Sequence, residues 1–395
     1  MAQKVYLHVG TMKAATSYLQ AMLDRNTERL AESKVLWSGA VRNRQAVGDL
    51  IGNERRPPGV KHAWSKLARE IGRYDGDAVI SMELLAQAGP RKIRRLARSL
   101  EPAELHLILT ARQLTRQLPS HWQEVVQNRQ TMGWEDFLAH VCTDALETSA
   151  LTRRFWRHHD VADIIRRWSD AAPVTQVSVV TVPTASKKPD EVWRRFSSVL
   201  GLGDGEFRSI GLKNQSLGGV SAELMRRVNL HVPDLDWQRY RWGFKNALAK
   251  QTLATRAGSE PRLALPAERH AWVRARAERM IRELGELDVT VVGDLADLLP
   301  PAEPSAADFD PDGASEADLL AAATEALAGM GTRLAELRIE RDQLLDQVAQ
   351  QKGKGRRTAP GTPAAAPAPV SRSRLSAGAL RFARRVGVKG HLRSR

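Results

Sequence analysis

The chain has 395 residues, 42% of them hydrophobic, with 60 Lys and Arg against 45 Asp and Glu and one cysteine. That length holds one large domain with an appendage, or two domains. The lone Cys142 excludes an intrachain disulfide and a cysteine-rich zinc cluster, and reads as a small buried hydrophobe. The net charge of +15 is uneven: from Lys352 onward there are twelve Lys and Arg and no acid, so residues 1–351 carry only +3.

Met1-Ala2-Gln3-Lys4 leads straight into an apolar run at 5–9 without a long apolar leader, which predicts a cytoplasmic protein. The runs 5–9, 78–81, 105–110 and 177–182 are short, apolar and followed by polar or turn residues, the pattern of buried parallel strands. Helices are expected at 14–29, 90–99, 119–129 and 134–143. This alternation predicts an α/β fold with a doubly wound parallel sheet. After Asp190 helices dominate, notably 222–228 and 266–284, with a short extended piece near 289–292.

The α/β domain is expected to span 1–300, ending at Leu299-Pro300-Pro301, with 301–315 as a Pro-, Ala-, Ser- and Asp-rich linker. A helix over 316–351 places Leu320, Leu327, Leu334 and Val348 at one heptad position and Ala323, Met330, Leu337 and Leu344 at the other. Arg341 interrupts the first series, and the pattern predicts a coiled coil and a homodimer. Residues 352–395 form a basic, low-complexity tail expected to be disordered. Its Arg381, Arg384 and Arg385 beside Leu375, Leu380, Phe382 and Val386 suit an anionic membrane surface; one aromatic offers nucleic acid little stacking. Nowhere do about 18 consecutive apolar residues occur, so no helix is expected to span a membrane.

The first strand enters His8-Val9-Gly10-Thr11-Met12-Lys13-Ala14-Ala15-Thr16-Ser17-Tyr18-Leu19. A strand, a turn at Gly10 and a helix beginning near Ala14 make a phosphate-binding geometry, because free N–H groups and the helix dipole both face the anion. Lys13 adds charge, and Thr16 and Ser17 add hydroxyls. A nucleotide triphosphatase places its lysine directly before Ser or Thr. Lys13 stands three residues before Thr16, which argues against an ATPase or kinase. Taken alone, an amphipathic first helix with an exposed lysine accounts for the segment equally well.

Arg112 ends the third strand, and eight residues later Ser120 lies in Gln117-Leu118-Pro119-Ser120-His121-Trp122. Arginine offers phosphate a bidentate fork, serine a hydroxyl, and Pro119 suits the first turn of a helix. Each residue singly reads as a strand cap or a solvated serine. Glu83 follows the second strand, where ligands of parallel sheets gather, and so shares a crevice with Lys13 and Arg112; a salt bridge to the next turn is the plain alternative. His8, His62, His106, His121, His158 and His159 show no ligand spacing, and no metal is expected.

Together, in this order and about a hundred residues apart, the two motifs resemble those of bacterial sulfotransferases that use 3′-phosphoadenosine-5′-phosphosulfate (PAPS). The resemblance covers residues 1–300 and implies a P-loop-like sulfotransferase fold. Lys13, Thr16, Ser17 and Leu19 match the 5′-phosphosulfate loop, Pro-Lys-x-Gly-Thr-Thr and its helix, with Met12 in place of Pro and Ala15 in place of Gly. Arg112 and Ser120 match the 3′-phosphate motif, and Ser81-Met82-Glu83 looks like the family's Ser-x-Glu string with its base. Asn214-Gln215-Ser216-Leu217 resembles a segment beside the nucleotide, and Trp237, Trp242 and Lys245 lie in a stretch able to close over a ligand or to pack in the core. The resemblance implies sulfuryl transfer from PAPS to a hydroxyl or amine of a small molecule or glycan, a carbohydrate or glycolipid being the acceptor that a Glu base suggests. Gly10, Lys13, Ala14, Ala15, Thr16, Ser17, Arg112 and Ser120 would then bind the donor, with Lys13 and Glu83 catalytic. Two other readings stay open: a catalytically degenerate member serving as a coiled-coil scaffold, and a divergent P-loop kinase.

Overall fold

Val5, Leu7, Ile80, Leu107 and Val179 are wholly buried in strands whose neighbouring positions are buried as well, so helices must cover both faces of the sheet. The structure, a computed structural model, describes residues 2–52, 61–145, 149–184, 190–203, 205, 207–211, 216–304 and 309–355. Asn214, Gln215 and the basic tail from residue 356 lie outside the described residues. Two units are distinguished, Met1–Leu334 and Ala335–Arg395.

In chain order the first unit contains β1 (Lys4–His8), α1 (Thr16–Arg25), α2 (Thr27–Glu32), β2 (Val35–Trp37), α3 (Ala40–Ile51) and α4 (Ala63–Arg73). Then come β3 (Asp77–Ser81), α5 (Pro90–Leu100), β4 (Glu104–Ala111), α6 (Leu114–Gln127), α7 (Trp134–Val141) and α8 (Ala150–His159). It continues with α9 (Val161–Ser169), β5 (Val174–Thr181), α10 (Glu191–Val199), α11 (Gly219–Leu230) and α12 (Trp237–Tyr240). A π-helix over Arg241–Thr252 follows α12 without a break, before α13 (Ala267–Gly285) and β6 (Thr290–Val292). Last comes α14 (Glu316–Gly355), which begins in the first unit and runs into the second.

Six strands form one all-parallel sheet in the order β2-β3-β1-β4-β5-β6, the doubly wound α/β arrangement expected from the sequence. Leu7 joins the larger core with α3, α5, α6 and α9, while Tyr6 joins the smaller one with α1 and α10. The chain leaves β1 first toward β3 and later toward β4, so the strand order reverses at β1. Such a reversal opens a crevice at the carboxyl ends of the strands.

Four local details differ from the sequence reading. The helix expected at 14–29 is two helices, broken at Asn26, whose side chain turns back to donate to the Met22 carbonyl (2.8 Å). The strand β2, only three residues long, was below the length that an apolar run reveals. Pro119 does not start a helix: α6 begins at Leu114 and carries Pro119 inside it, buried against the core. The described part of 301–315 is not a free linker, because Phe309 bridges to Leu263 and the Asp312 carboxylate caps α7 through the N–H groups of Trp134 (3.0 Å) and Glu135 (2.9 Å).

The early turns of α14 bury Leu319, Ala322 and Ala326, and Glu325 pairs with Arg256. The heptad positions Leu320, Leu327 and Leu334 face away, 68%, 75% and 70% exposed. Docking therefore leaves this heptad series exposed, while Met330 of the other series packs against the core. Among the described residues no helix is long and apolar enough to cross a membrane.

Buried histidines tie the sheet together. His8 sets Nδ1 2.8 Å from the Ser81 hydroxyl of β3 and Nε2 3.2 Å from the Thr110 hydroxyl of β4, and His106 sets Nε2 2.9 Å from Ser178 of β5. His121 and His159 contact each other at 3.0 Å between α6 and α8. Burial holds His8 and His121 down to about 3 and His106 to about 4, and pushes His159 well below the usual imidazole range. The unfolded chain binds protons on these rings below pH ~6.5 while the fold does not, so stability present above that pH is lost as pH falls toward 3. Each such proton steepens the loss by about 1.4 kcal/mol per pH unit. Urea unfolding between pH 7 and 4 should show that slope, and His106→Gln should make it shallower.

Candidate functional site

The loop after β1 carries two non-glycine residues in the left-handed region, Lys13 at φ 64° and Ala15 at φ 67°. An L-residue there costs roughly 1–2 kcal/mol. Strain of this kind concentrates where a backbone is shaped for a ligand. Ala15, in place of the expected glycine, therefore does not prevent the turn; it makes the turn costlier. The helix α1 consequently starts at Thr16, two residues later than the sequence suggested, and has no side-chain cap on its first-turn N–H groups.

Gly10 adopts φ 65°, and a Cβ there would stand 3.0 Å from Thr16 Oγ1 and 3.3 Å from Glu83 Cβ. Its missing side chain lets Glu83 lie directly against the loop. Ala14 is fully buried and packs the turn inward, Thr16 is 5% exposed, and Ser17 stands on the exposed side of the first turn.

Strand β4 supplies the second support. Arg112, just past its end, donates from Nη1 to the Lys13 carbonyl at 3.1 Å. Arg112 has no carboxylate partner among the described residues, and burial together with Arg116 lowers its guanidinium to about 10. Arg112 Nε and Thr16 Oγ1 are both buried and have no hydrogen-bond partner among the described residues. Buried polar groups are nearly always satisfied. Two such donors beside an uncapped helix start are what an anion would complete.

Helix α6 lies across the loop. Gln117 donates from Nε2 to Thr11 Oγ1 (2.7 Å) and to the Met12 carbonyl (2.9 Å). Seven residues on, Glu124 sits 3.6 Å from the Lys13 ammonium. Ser120 falls between them at i+3, on the same helical face and half-buried, and among the described residues Arg112 makes its hydrogen bond to Lys13 rather than to Ser120. Its distance from a helix N-terminus follows from the earlier start of α6.

The π-helix brings further charge that the sequence reading did not assign. Lys245 donates to Glu124 Oε1 and to Asn128 Oδ1, both at 2.7 Å. Lys250, five residues later, also acts on Glu124. In a π-helix residues five apart share a face, whereas an α-helix would turn them away from each other. The aromatic-rich composition of 237–250 drew attention to Lys245, and Gln117 opens the second motif without a role of its own; Glu124 and Lys250 carried no sequence signal.

The two carboxylates respond oppositely. Burial would raise Glu124, but Lys13, Lys245 and Lys250 outweigh it and hold Glu124 at about 2. Burial dominates at Glu83 and raises it above the usual carboxylate range, with Glu124 adding to the rise and its own N–H, Arg44 and Lys13 opposing it. A carboxyl raised above its ordinary range beside a cationic loop is suited to taking a proton from a bound ligand. His8 is spent on Ser81 and Thr110 and takes no part. Among the described residues no group of three or more His, Cys, Asp or Glu is placed to hold a metal ion.

No family model matches the chain, and no curated protein matches it. Among solved structures it is similar to a sulfotransferase from Alicyclobacillus acidocaldarius, at 16% identity over 61% of this chain and 100% of that one, with a TM-score of 0.34.

Proposed function

We propose that the chain transfers a sulfuryl group from PAPS to an acceptor hydroxyl or amine. The observation that carries this reading is the pair of buried, unpartnered donors, Thr16 Oγ1 and Arg112 Nε, around an uncapped helix start. A loop at β1 and an arginine at β4 suit a nucleotide with separate 5′ and 3′ anions. In this reading the first-turn N–H groups, Lys13, Thr16 and Ser17 hold the phosphosulfate end, and Arg112 and Ser120 hold the 3′-phosphate. The donor supplies the sulfuryl group and its leaving phosphate. Lys13 offsets charge on the leaving oxygen, and Glu83 takes the acceptor proton as the new S–O bond forms. A sugar or glycolipid hydroxyl is the acceptor class that a carboxylate base suits.

The Lys13–Glu124 pair favours a second reading, a fold of this type whose donor site is closed and which serves as a scaffold. On the first reading the donor's anion takes Lys13 over from Glu124, while Lys245 keeps that carboxylate paired.

Calorimetry separates the two. 3′-Phosphoadenosine 5′-phosphate should bind far more tightly than ATP, Arg112→Ala and Lys13→Ala should each weaken it roughly ten- to a hundredfold, and Glu124→Gln should tighten it. Equal affinity for ATP, or no effect of Arg112→Ala, sinks the sulfuryl-transfer reading; no binding by wild type or Glu124→Gln leaves the scaffold.

Glu83→Gln should lower turnover by roughly 10²–10⁴-fold with donor affinity intact. Because the base acts deprotonated, the wild-type rate should climb with pH through a value above the ordinary carboxylate range. Loss of donor affinity in that variant instead would make Glu83 a structural residue.

The exposed leucine stripe of α14 supports pairing with a second copy. Sedimentation of wild type against Leu334→Gln/Leu344→Gln should show a dimer and a monomer; a monomeric wild type rejects the pairing.

A further inference from the structure

Helix α5 carries Arg91, Lys92, Arg94, Arg95 and Arg98 within eight positions and no acid. The four arginines are exposed and have no ion-pair partner among the described residues. Arg91 and Arg95, and again Arg94 and Arg98, are like charges at i,i+4, a spacing that destabilises a helix. Arg91 and Lys92 also sit in the first turn, where the helix dipole disfavours cations. The buried face, Ile93, Leu96, Ala97 and Leu100, needs none of these charges to pack. The arrangement works against the stability of α5, and among the described residues no carboxylate offsets it.

With Ser99 the arginines border an open surface depression of about 560 Å³. The exposed face of α5 holds no apolar residue to insert into a bilayer. It holds no aromatic residue on which nucleic-acid bases stack. Guanidinium forks, rather than ammonium points, suit planar or tetrahedral oxyanions carried along a thread.

The location matters too. The segment bearing Glu83 leads directly into α5, so the arginine row begins at the carboxyl edge of the sheet and runs away from the candidate site. Along the connection, exposed Arg157 donates to the Gln87 carbonyl (2.9 Å) and adds a cation to this side, whereas Arg167 is paired with Asp163 (2.6 Å).

We infer that the arginine face of α5 is a docking surface for an acidic polysaccharide, a chain bearing sulfate or carboxylate groups. That this chain is also the acceptor rests on the sulfuryl-transfer reading; the docking itself does not.

The test uses the full chain and a size-defined heparin octasaccharide, with duplex DNA and phosphatidylserine vesicles as competing partner classes. Arg91→Gln/Arg94→Gln/Arg95→Gln/Arg98→Gln should weaken octasaccharide binding roughly tenfold or more at low salt and change DNA and vesicle binding far less. Its unliganded melting temperature should equal or exceed that of wild type, since like-charge pairs are removed. The double variant Arg94→Gln/Arg98→Gln should move in the same direction by a smaller factor. Unchanged octasaccharide affinity overturns the inference, as does an equal loss of DNA or vesicle binding, or a fall in melting temperature. Affinity for 3′-phosphoadenosine 5′-phosphate, measured alongside, reports on the sulfuryl-transfer reading separately.

Discussion

Arg112 and Gln117 hold the carbonyls of Lys13 and Met12, and the shape of the loop after β1 depends on those contacts. Two left-handed residues cost the loop roughly 1–2 kcal/mol each. A hydrogen bond from a charged donor is worth about 1.5–3 kcal/mol, a neutral one about 0.5–1.5. The side chains of β4 and α6 thus roughly balance the strain of Lys13 and Ala15. Because β1 and β4 are parallel neighbours, their ends meet at one edge, and Thr11 N–H reaches the Thr110 carbonyl at 2.9 Å. The same adjacency between β1 and β3 sets Glu83 against Gly10.

From that geometry the electrostatics follow. Lys13 acts on both Glu83 and Glu124, yet the two acids diverge, one raised by burial and the other held at about 2 by three lysines. Opposite shifts in neighbouring carboxyls divide proton transfer from charge balance. Glu124 pairs with Lys13, while Glu83 is the carboxyl that burial raises. Cations exceed acids in this basin, so the surplus charge favours an anionic ligand.

Farther from the loop, buried acids organise the helices that follow β5. Glu260 accepts from Ser221 N–H (2.9 Å) and Oγ (2.7 Å) and pairs with Arg256 (2.7 Å), which also binds Glu325 of α14. Glu223, fully buried, is met by Arg226 and Arg227, and Arg227 reaches Glu316. A buried carboxylate is tolerated when its oxygens are matched in this way. These pairs fix the first turns of α14 and leave its leucine stripe open.

The sequence by itself determined the parallel sheet and most of its strands, since 5–9, 78–81, 105–110 and 177–182 are too short and too uniformly apolar for anything else between helices. It also marked Lys13, Glu83 and Arg112, because residues at the carboxyl ends of adjacent parallel strands must converge. Composition could not show that Glu124 and Gln117 face the loop, for that required knowing that α6 starts at Leu114 and continues through Pro119. Lys245 and Lys250 were illegible as a pair because five-residue spacing aligns only in a π-helix, which local propensity does not announce. The heptad count on α14 found a real apolar stripe but not the adjacent small-residue stripe, Ala322 and Ala326, by which the helix docks. Periodicity reports that a face is apolar, and only tertiary packing decides which face finds a partner, because burial depends on the shape of the surface it meets.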